Sequence, residues 1–139
     1  SVIGKILDSD KGLNVAVIGI GNLGRAITTY FMGKRSKLNI IASFDVDPNK
    51  IDRVISGINC YPLSRLNEIV KHENISIAVL TVPADSAHDV SEMLVKAGIT
   101  GILNFTTVPI PASPGVYLDE YDMITSLEKV AYFVKTSKR

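Results

Sequence analysis

Two spacings of apolar residues alternate along this chain. Short runs of consecutive, β-branched apolar residues give way to stretches in which apolar residues recur every three or four positions. The first pattern belongs to a strand buried on both faces, the second to an amphipathic helix. "LNVAVIG" (13–19) predicts a strand. "NLGRAITTYFMG" (22–33) predicts a helix with Leu23, Ala26, Ile27, Tyr30 and Phe31 on one side and Gly33 as its stop. "NIIASFDV" (39–46) predicts a second strand. In "DPNKIDRVI", Asp47 and Pro48 read as the N-cap and first position of another helix, since Pro gives up an N–H that is unpaired there anyway. "INCYP" (58–62) reads as a short strand, "LSRLNEIVKHE" (63–73) as a helix and "ISIAVLTVP" (75–83) as a buried strand. "ADSAHDVSEMLVKAG" (84–98) reads as a helix closed by Gly98, with "GILNF" (101–105) and "GVYL" (115–118) as further strands. Between those two, "TTVPIPASPG" is a connecting loop, because proline cannot donate to a central ladder. "DEYDMITSLEKVAYFVK" (119–135) closes the series as a helix, with Met123, Leu127, Val130, Ala131 and Val134 at helical spacing.

This alternation predicts an α/β fold: a doubly wound, mainly parallel, Rossmann-like sheet. Its core is expected over residues 13–118, with a connector at 1–12 and a C-terminal helix at 119–139. The opening "SVIGKILDSDKG" reads as the end of a helix and a turn, so the chain is expected to be a fragment. Its 139 residues suit one domain, and a hydrophobic fraction of 46% suffices for a core. A net charge of +1 gives no reason to expect nucleic-acid binding by this domain itself, and "KTSKR" reads as a solvated helix end. Cys60 is the only cysteine, which excludes an internal disulfide and a thiolate metal cluster. It suits a buried thiol in a cytoplasmic protein. No apolar run is long enough to span a bilayer, and no signal-peptide pattern opens the chain.

The chemistry concentrates at three places. Gly19-Ile20-Gly21-Asn22-Leu23-Gly24 follows a buried strand and opens a helix, the context in which G-x-G-x-x-G holds a dinucleotide. The first glycine permits the turn, the second lets backbone approach a pyrophosphate, and the third lets helix and strand pack closely. The helix N-terminus then offers N–H groups to the phosphates. Asp45, 21 residues after Gly24 at the end of the second strand, is placed to bind a ribose diol. A carboxylate there repels a 2′-phosphate, so NADH and NAD⁺ are expected rather than their phosphorylated counterparts. Thr81, Val82, Pro83 and Ala84 follow the fourth strand, and Asn104 and Phe105 end the fifth, on the edge where ligands of such sheets sit. No catalytic set emerges. His72 and His88 lack a partner at telling spacing, no zinc-ligand pattern occurs, and no length remains for a substrate domain.

"GIGNLGRAITTY", "FDVDPNKI", "LTVPADSAHDVSEMLVKAGITGILNF" and "YDMITSLEKVAYFV", in this order, resemble the C-terminal domain of the Rex family of redox-sensing transcriptional repressors. The resemblance covers nearly the whole chain and implies a non-enzymatic NADH sensor in a homodimer. It also implies that operator DNA is bound through an N-terminal winged-helix domain outside this sequence. Carried over, it puts Gly19–Gly24 on the pyrophosphate, Asp45 on the adenosine ribose, and Thr81–Ala84 with Asn104 and Phe105 on the nicotinamide side. It implies a last helix swapped across the dimer, and roles for Tyr30 and Asp122 in relaying the cofactor state. From the residues alone, Tyr30 reads as a core-facing aromatic and Asp122 as a helix N-cap. Two positions depart from the family pattern: His88 stands where Gln is usual, and Thr107 where Pro is common. Two other readings remain: the nucleotide half of an NAD-dependent oxidoreductase, and a CoA-binding Rossmann domain. Asp45 opposes the latter, because the ribose of CoA carries a 3′-phosphate.

Overall fold

The computed structural model describes residues 12–32 and 37–137. The connector up to residue 11 and the helix stop expected at Gly33 lie outside them. In chain order the elements are β1 (Leu13–Ile18), α1 (Asn22–Phe31), β2 (Leu38–Asp45), β3 (Arg53–Ile55), β4 (Ile58–Pro62), and a 3₁₀ turn (Leu63–Arg65) leading into α2 (Leu66–His72). Then follow β5 (Ile75–Leu80), α3 (Ala84–Lys96), β6 (Gly101–Asn104), β7 (Tyr117–Glu120) and α4 (Met123–Ser137). The strands form one sheet in the order β3-β4-β2-β1-β5-β6-β7. Each neighbouring pair is parallel except β3 with β4. Leaving aside the edge strand β3, this is the doubly wound order, in which the chain works outward from β1 on one side and then on the other.

The sheet explains the runs of apolar residues. On one face Ile18, Phe44 and Leu80 pack against Leu66 and Ile69 of α2 and Val90 and Leu94 of α3. On the other, Val15, Val17, Ile20, Cys60 and Val79 cluster with Ile27 of α1. Cys60 is buried, as expected. No described helix is long and apolar enough to cross a membrane.

Two expectations need correction. The segment after β2 is not a helix. Asp47 does cap, but only a single turn: its carboxylate accepts from Asn49 N–H (2.9 Å) and its carbonyl from Lys50 N–H (2.9 Å). Asp52, at a φ of 59°, then turns the chain and donates to the Cys60 carbonyl (2.7 Å). Ser56 and Gly57, both at positive φ, close β3 onto β4 as a two-residue hairpin. The β-branched pair Val54-Ile55 beside that turn outweighs the cap. The last helix also begins later than residue 119. Asp119 and Glu120 pair with Leu103 and Asn104 in β7, and Asp122 caps α4 by accepting from Thr125 N–H (3.1 Å) and the Thr125 hydroxyl (2.7 Å).

The proline-rich loop between β6 and β7 is anchored by one side chain. Asn104, 1% exposed, accepts from the Thr106 N–H and hydroxyl (2.9 and 2.7 Å) and donates to the Val108 carbonyl and the Glu120 carboxylate (2.9 and 3.0 Å). That same Glu120 oxygen accepts from Ile110 N–H (3.0 Å). Asn104→Ala leaves these groups unpaired and should lower unfolding free energy by about 2 kcal/mol. Urea denaturation of the two proteins measures the difference; equal midpoints would remove Asn104 as the loop's anchor.

Candidate functional site

Between β1 and β5 the winding changes direction, and ligands of doubly wound sheets bind beyond the strand ends at that point. A cleft of about 530 Å³ opens there, lined by Ile18, Gly19, Gly21, Asn22, Leu23, Phe44, Asp45, Val46, Asp47, Lys50, Leu63, Thr81, Val82, Pro83, Ser86 and Val90. Each glycine of the turn has its own reason. Gly19 has a φ of 91°, and a Cβ on it would meet the Thr81 carbonyl oxygen at 2.9 Å. A Cβ on Gly24 would run into the Gly19 carbonyl oxygen, so only glycine lets α1 lie this close to the loop. Nothing stands within 4 Å of a Cβ on Gly21, which leaves its backbone open to the cleft. Gly21 is also the N-cap of α1 and brings no side-chain acceptor. The loop is tied on both sides. Gly19 N–H donates to the Phe44 carbonyl (2.8 Å), and the Thr81 hydroxyl donates to the carbonyls of Ile18 and Gly19.

Asp45 holds the loop from the side of β2. One of its oxygens accepts from Ile20 N–H (2.8 Å), the other from Val46 N–H (2.7 Å) and Asp47 N–H (2.9 Å). Burial pushes its pKa up, but the N–H groups of Ile20, Asp47 and Val46 and the charge of Lys50 together hold it below the usual aspartate range. An ionised carboxylate accepting from the glycine loop still has lone pairs for a pair of hydroxyls.

Of the residues singled out in the sequence, Gly19, Gly21, Asn22, Leu23, Asp45, Thr81, Val82 and Pro83 meet in this cleft. Ile20 and Gly24 are buried beneath it, and Ala84 begins α3 beside it. Asn104 and Phe105 are not among its lining. The Asn104 amide is engaged within its own loop, while Phe105 lies against Tyr121 (ring centroids 5.0 Å apart). Phe105 instead lines a second, apolar groove of about 570 Å³ over the α1 face, with Ile27, Tyr30, Phe31, Ile77 and Leu103. Tyr30 is 63% exposed at that groove rather than in the core. Asp122 is exposed at the root of α4, its pKa lowered by the Thr125 hydroxyl and N–H. His88 is not among the cleft's lining and its Nδ1 stands 3.3 Å from Glu92, and Thr107 is exposed in the proline-rich loop. Lys50, Leu63, Ser86 and Val90 were not singled out. Lys50 reaches the cleft through the turn that replaces the helix expected after Asp47, and Leu63 through the 3₁₀ turn that opens the helix expected at 63–73. Among the described residues no three His, Cys, Asp or Glu side chains are grouped to hold a metal ion.

A sheet of this order with a glycine turn at its switch point defines a domain of the Rossmann-like class. The model of the family described as "CoA binding domain" matches residues 10–108. The redox-sensing transcriptional repressor Rex of Listeria welshimeri is 40% identical over 131 residues, 94% of this chain and 61% of that protein. Two solved structures of a Rex-family repressor, RSP, are 30% identical and cover 99% of this chain. One, in complex with NAD⁺ and operator DNA, has a TM-score of 0.89 and is covered over 63% of its length. The other, in complex with NADH, has a TM-score of 0.87 and is covered over 66%. The chain belongs to the CoA-binding domain family. It spans about three-fifths of the length of the curated relatives it matches. A UDP-D-quinovosamine 4-dehydrogenase of Vibrio fischeri, 18% identical with a TM-score of 0.61 over 86% of each chain, shares the fold alone.

The lowered pKa of Asp45 has a consequence for stability. A carboxyl whose folded pKa lies below its unfolded value stabilises the fold above the unfolded value, and that contribution disappears as pH falls through the folded one. Asp45→Asn should therefore be less stable than the parent at pH 7, with the gap closing as pH is taken below about 4. Urea midpoints of both proteins across that range test this; a gap independent of pH would show that ionised Asp45 does not hold the loop.

Proposed function

We propose that this chain is the NAD(H)-binding sensor domain of a redox-sensing transcriptional repressor. Asp45 carries this reading: a carboxylate fixed by the glycine loop, at the mouth of the cleft, accepts the two hydroxyls of an unphosphorylated adenosine ribose. The Gly21 backbone and the first turn of α1 receive the pyrophosphate, and Thr81, Val82, Pro83 and Ala84 border the nicotinamide. Asn104 contributes by fixing the adjoining loop. Binding of NADH and NAD⁺ by RSP supports the assignment. The CoA reading is disfavoured because Asp45 would oppose a 3′-phosphorylated ribose, whatever the wider family is called.

Sensing, rather than turnover, fits the lining of the cleft. Its charged residues, Asp45, Asp47 and Lys50, lie at or just beyond the end of β2, whereas the segment after β5 contributes Thr81, Val82, Pro83, Ser86 and Val90. A positively charged nicotinamide ring held there without a partner is costly, and the neutral reduced ring is not. The same lining offers no histidine or cysteine to a substrate, and the relatives are regulators. The ligand then acts by binding one arrangement of the protein better than another.

The second arrangement involves another copy. None of the α4 side chains is buried; Ile124, Leu127, Val130, Phe133 and Val134 are between 51% and 69% exposed. The groove over the α1 face is apolar and open. We assign α4 as a swapped arm of a homodimer, separate from the core that ends with β7, with Tyr30 and Asp122 at the junction it makes. Operator DNA is contacted through a winged-helix domain outside this sequence, as fits RSP's complex with operator DNA, and the repressor works in the cytoplasm.

Titration with both forms of the cofactor, followed by calorimetry, should show tighter binding of NADH than of NAD⁺; equal affinities would remove the sensing argument. Deleting the residues after Glu120 should convert a dimer into monomers in sedimentation velocity. A truncated chain that remains a tight dimer would show that α4 is not the interface.

A further inference from the structure

The turn after β2 carries a cation whose position the proposed reading does not explain. Two main-chain bonds and one side-chain bond from Asp47 shape residues 47–51, with its carbonyl accepting from Lys50 N–H (2.9 Å) and Ile51 N–H (3.2 Å) and its carboxylate from Asn49 N–H (2.9 Å). This turn sets Lys50 into the lining of the cleft, alongside Asp45, Val46 and Asp47. Its side chain is only 27% exposed, and its ammonium stands 3.9 Å from an Asp47 carboxylate oxygen. That distance is Coulombic and too long for a hydrogen bond. The ammonium's donors are therefore not taken up by Asp47. Its charge is also felt by Asp45, where it favours the carboxylate.

We propose that Lys50 is a second specificity-determining residue of this cleft, a cation that Asp45 keeps from a 2′-phosphorylated ribose and that would bind such a phosphate once that carboxylate is neutralised. This inference rests on the reading of the cleft as a dinucleotide site. With Asp45 ionised, two carboxylates and one ammonium leave one net negative charge beside the ribose, and a 2′-phosphate is repelled. With Asp45 neutral, Lys50 balances Asp47, and its compact charge suits a phosphate. Selectivity against the phosphorylated cofactor then depends on a single carboxylate in front of a site otherwise able to accept it.

The test is a cycle of four full-length proteins, the parent, Asp45→Asn, Lys50→Met and the double variant, titrated with NADH and NADPH by the fluorescence of the reduced ring. Met keeps the apolar length of Lys50, which lies in a surface turn. Asp45→Asn should raise NADPH affinity at least about tenfold relative to NADH. Adding Lys50→Met should take about tenfold of that gain away while changing NADH binding by about twofold. Asp45→Ser, alone and with Lys50→Met, provides the same comparison should the amide disturb the loop. Loss of NADH and NADPH affinity in equal measure on adding Lys50→Met, or no gain of NADPH in either Asp45 variant, overturns the role of Lys50 while leaving the cleft's assignment intact. A parent protein that binds neither cofactor overturns the assignment and this inference with it.

Discussion

The contact between the backbone of Gly24 and the carbonyl of Gly19 governs this structure. With no room for even one methyl group between them, α1 must start directly on the end of β1, which forces three further features. Ile20 is pressed completely into the α1 face of the sheet. Its N–H turns toward β2, where a carboxylate has to meet it. The first N–H groups of α1, with no capping side chain above them, are left facing the cleft. Close packing at one pair of glycines thus decides both where the core ends and where a ligand can begin.

Asp45 links these consequences to specificity. A half-buried carboxylate needs partners, and the glycine loop supplies one that would otherwise also lack an acceptor. The same group is therefore part of the fold before it is part of any ligand site. This dual role explains why a lone acid at a strand end carries so much weight in reading the cleft, and why the Lys50 turn behind it shapes what the acid excludes.

The strands and their order were legible because buried parallel strands write themselves as unbroken apolar runs, as in 13–19 and 75–83. The glycine loop and Asp45 were legible because their spacing has a mechanical cause. The segment 47–55 was not. An Asp-Pro pair announces a helix start, and nothing local reveals that Ser56-Gly57 downstream will fold Val54 and Ile55 back as an edge strand. The start of α4 is not legible locally, because the pairing of Asp119 and Glu120 with β6 depends on a partner some sixteen residues away. Asn104 and Phe105 lie at the correct sheet edge, but the inward-facing side chain is taken up by its own loop and the aromatic one turns to the opposite face. Sequence places a residue at an edge; it does not say which neighbour reaches it first.

The Asn104 anchor gives the molecule a mechanical property. Glu120 is bound to Asn104, and Tyr121 N–H donates to the Asn104 carbonyl at 2.9 Å, so the root of α4 is clamped to the last residue of β6. From Met123 onward the helix has no buried side chain to brace it against its own core. It is a cantilever about 22 Å long, and a tilt of about 10° at its clamp carries the free end about 4 Å. Displacements too small to register within the sheet would be multiplied at the far end of that beam.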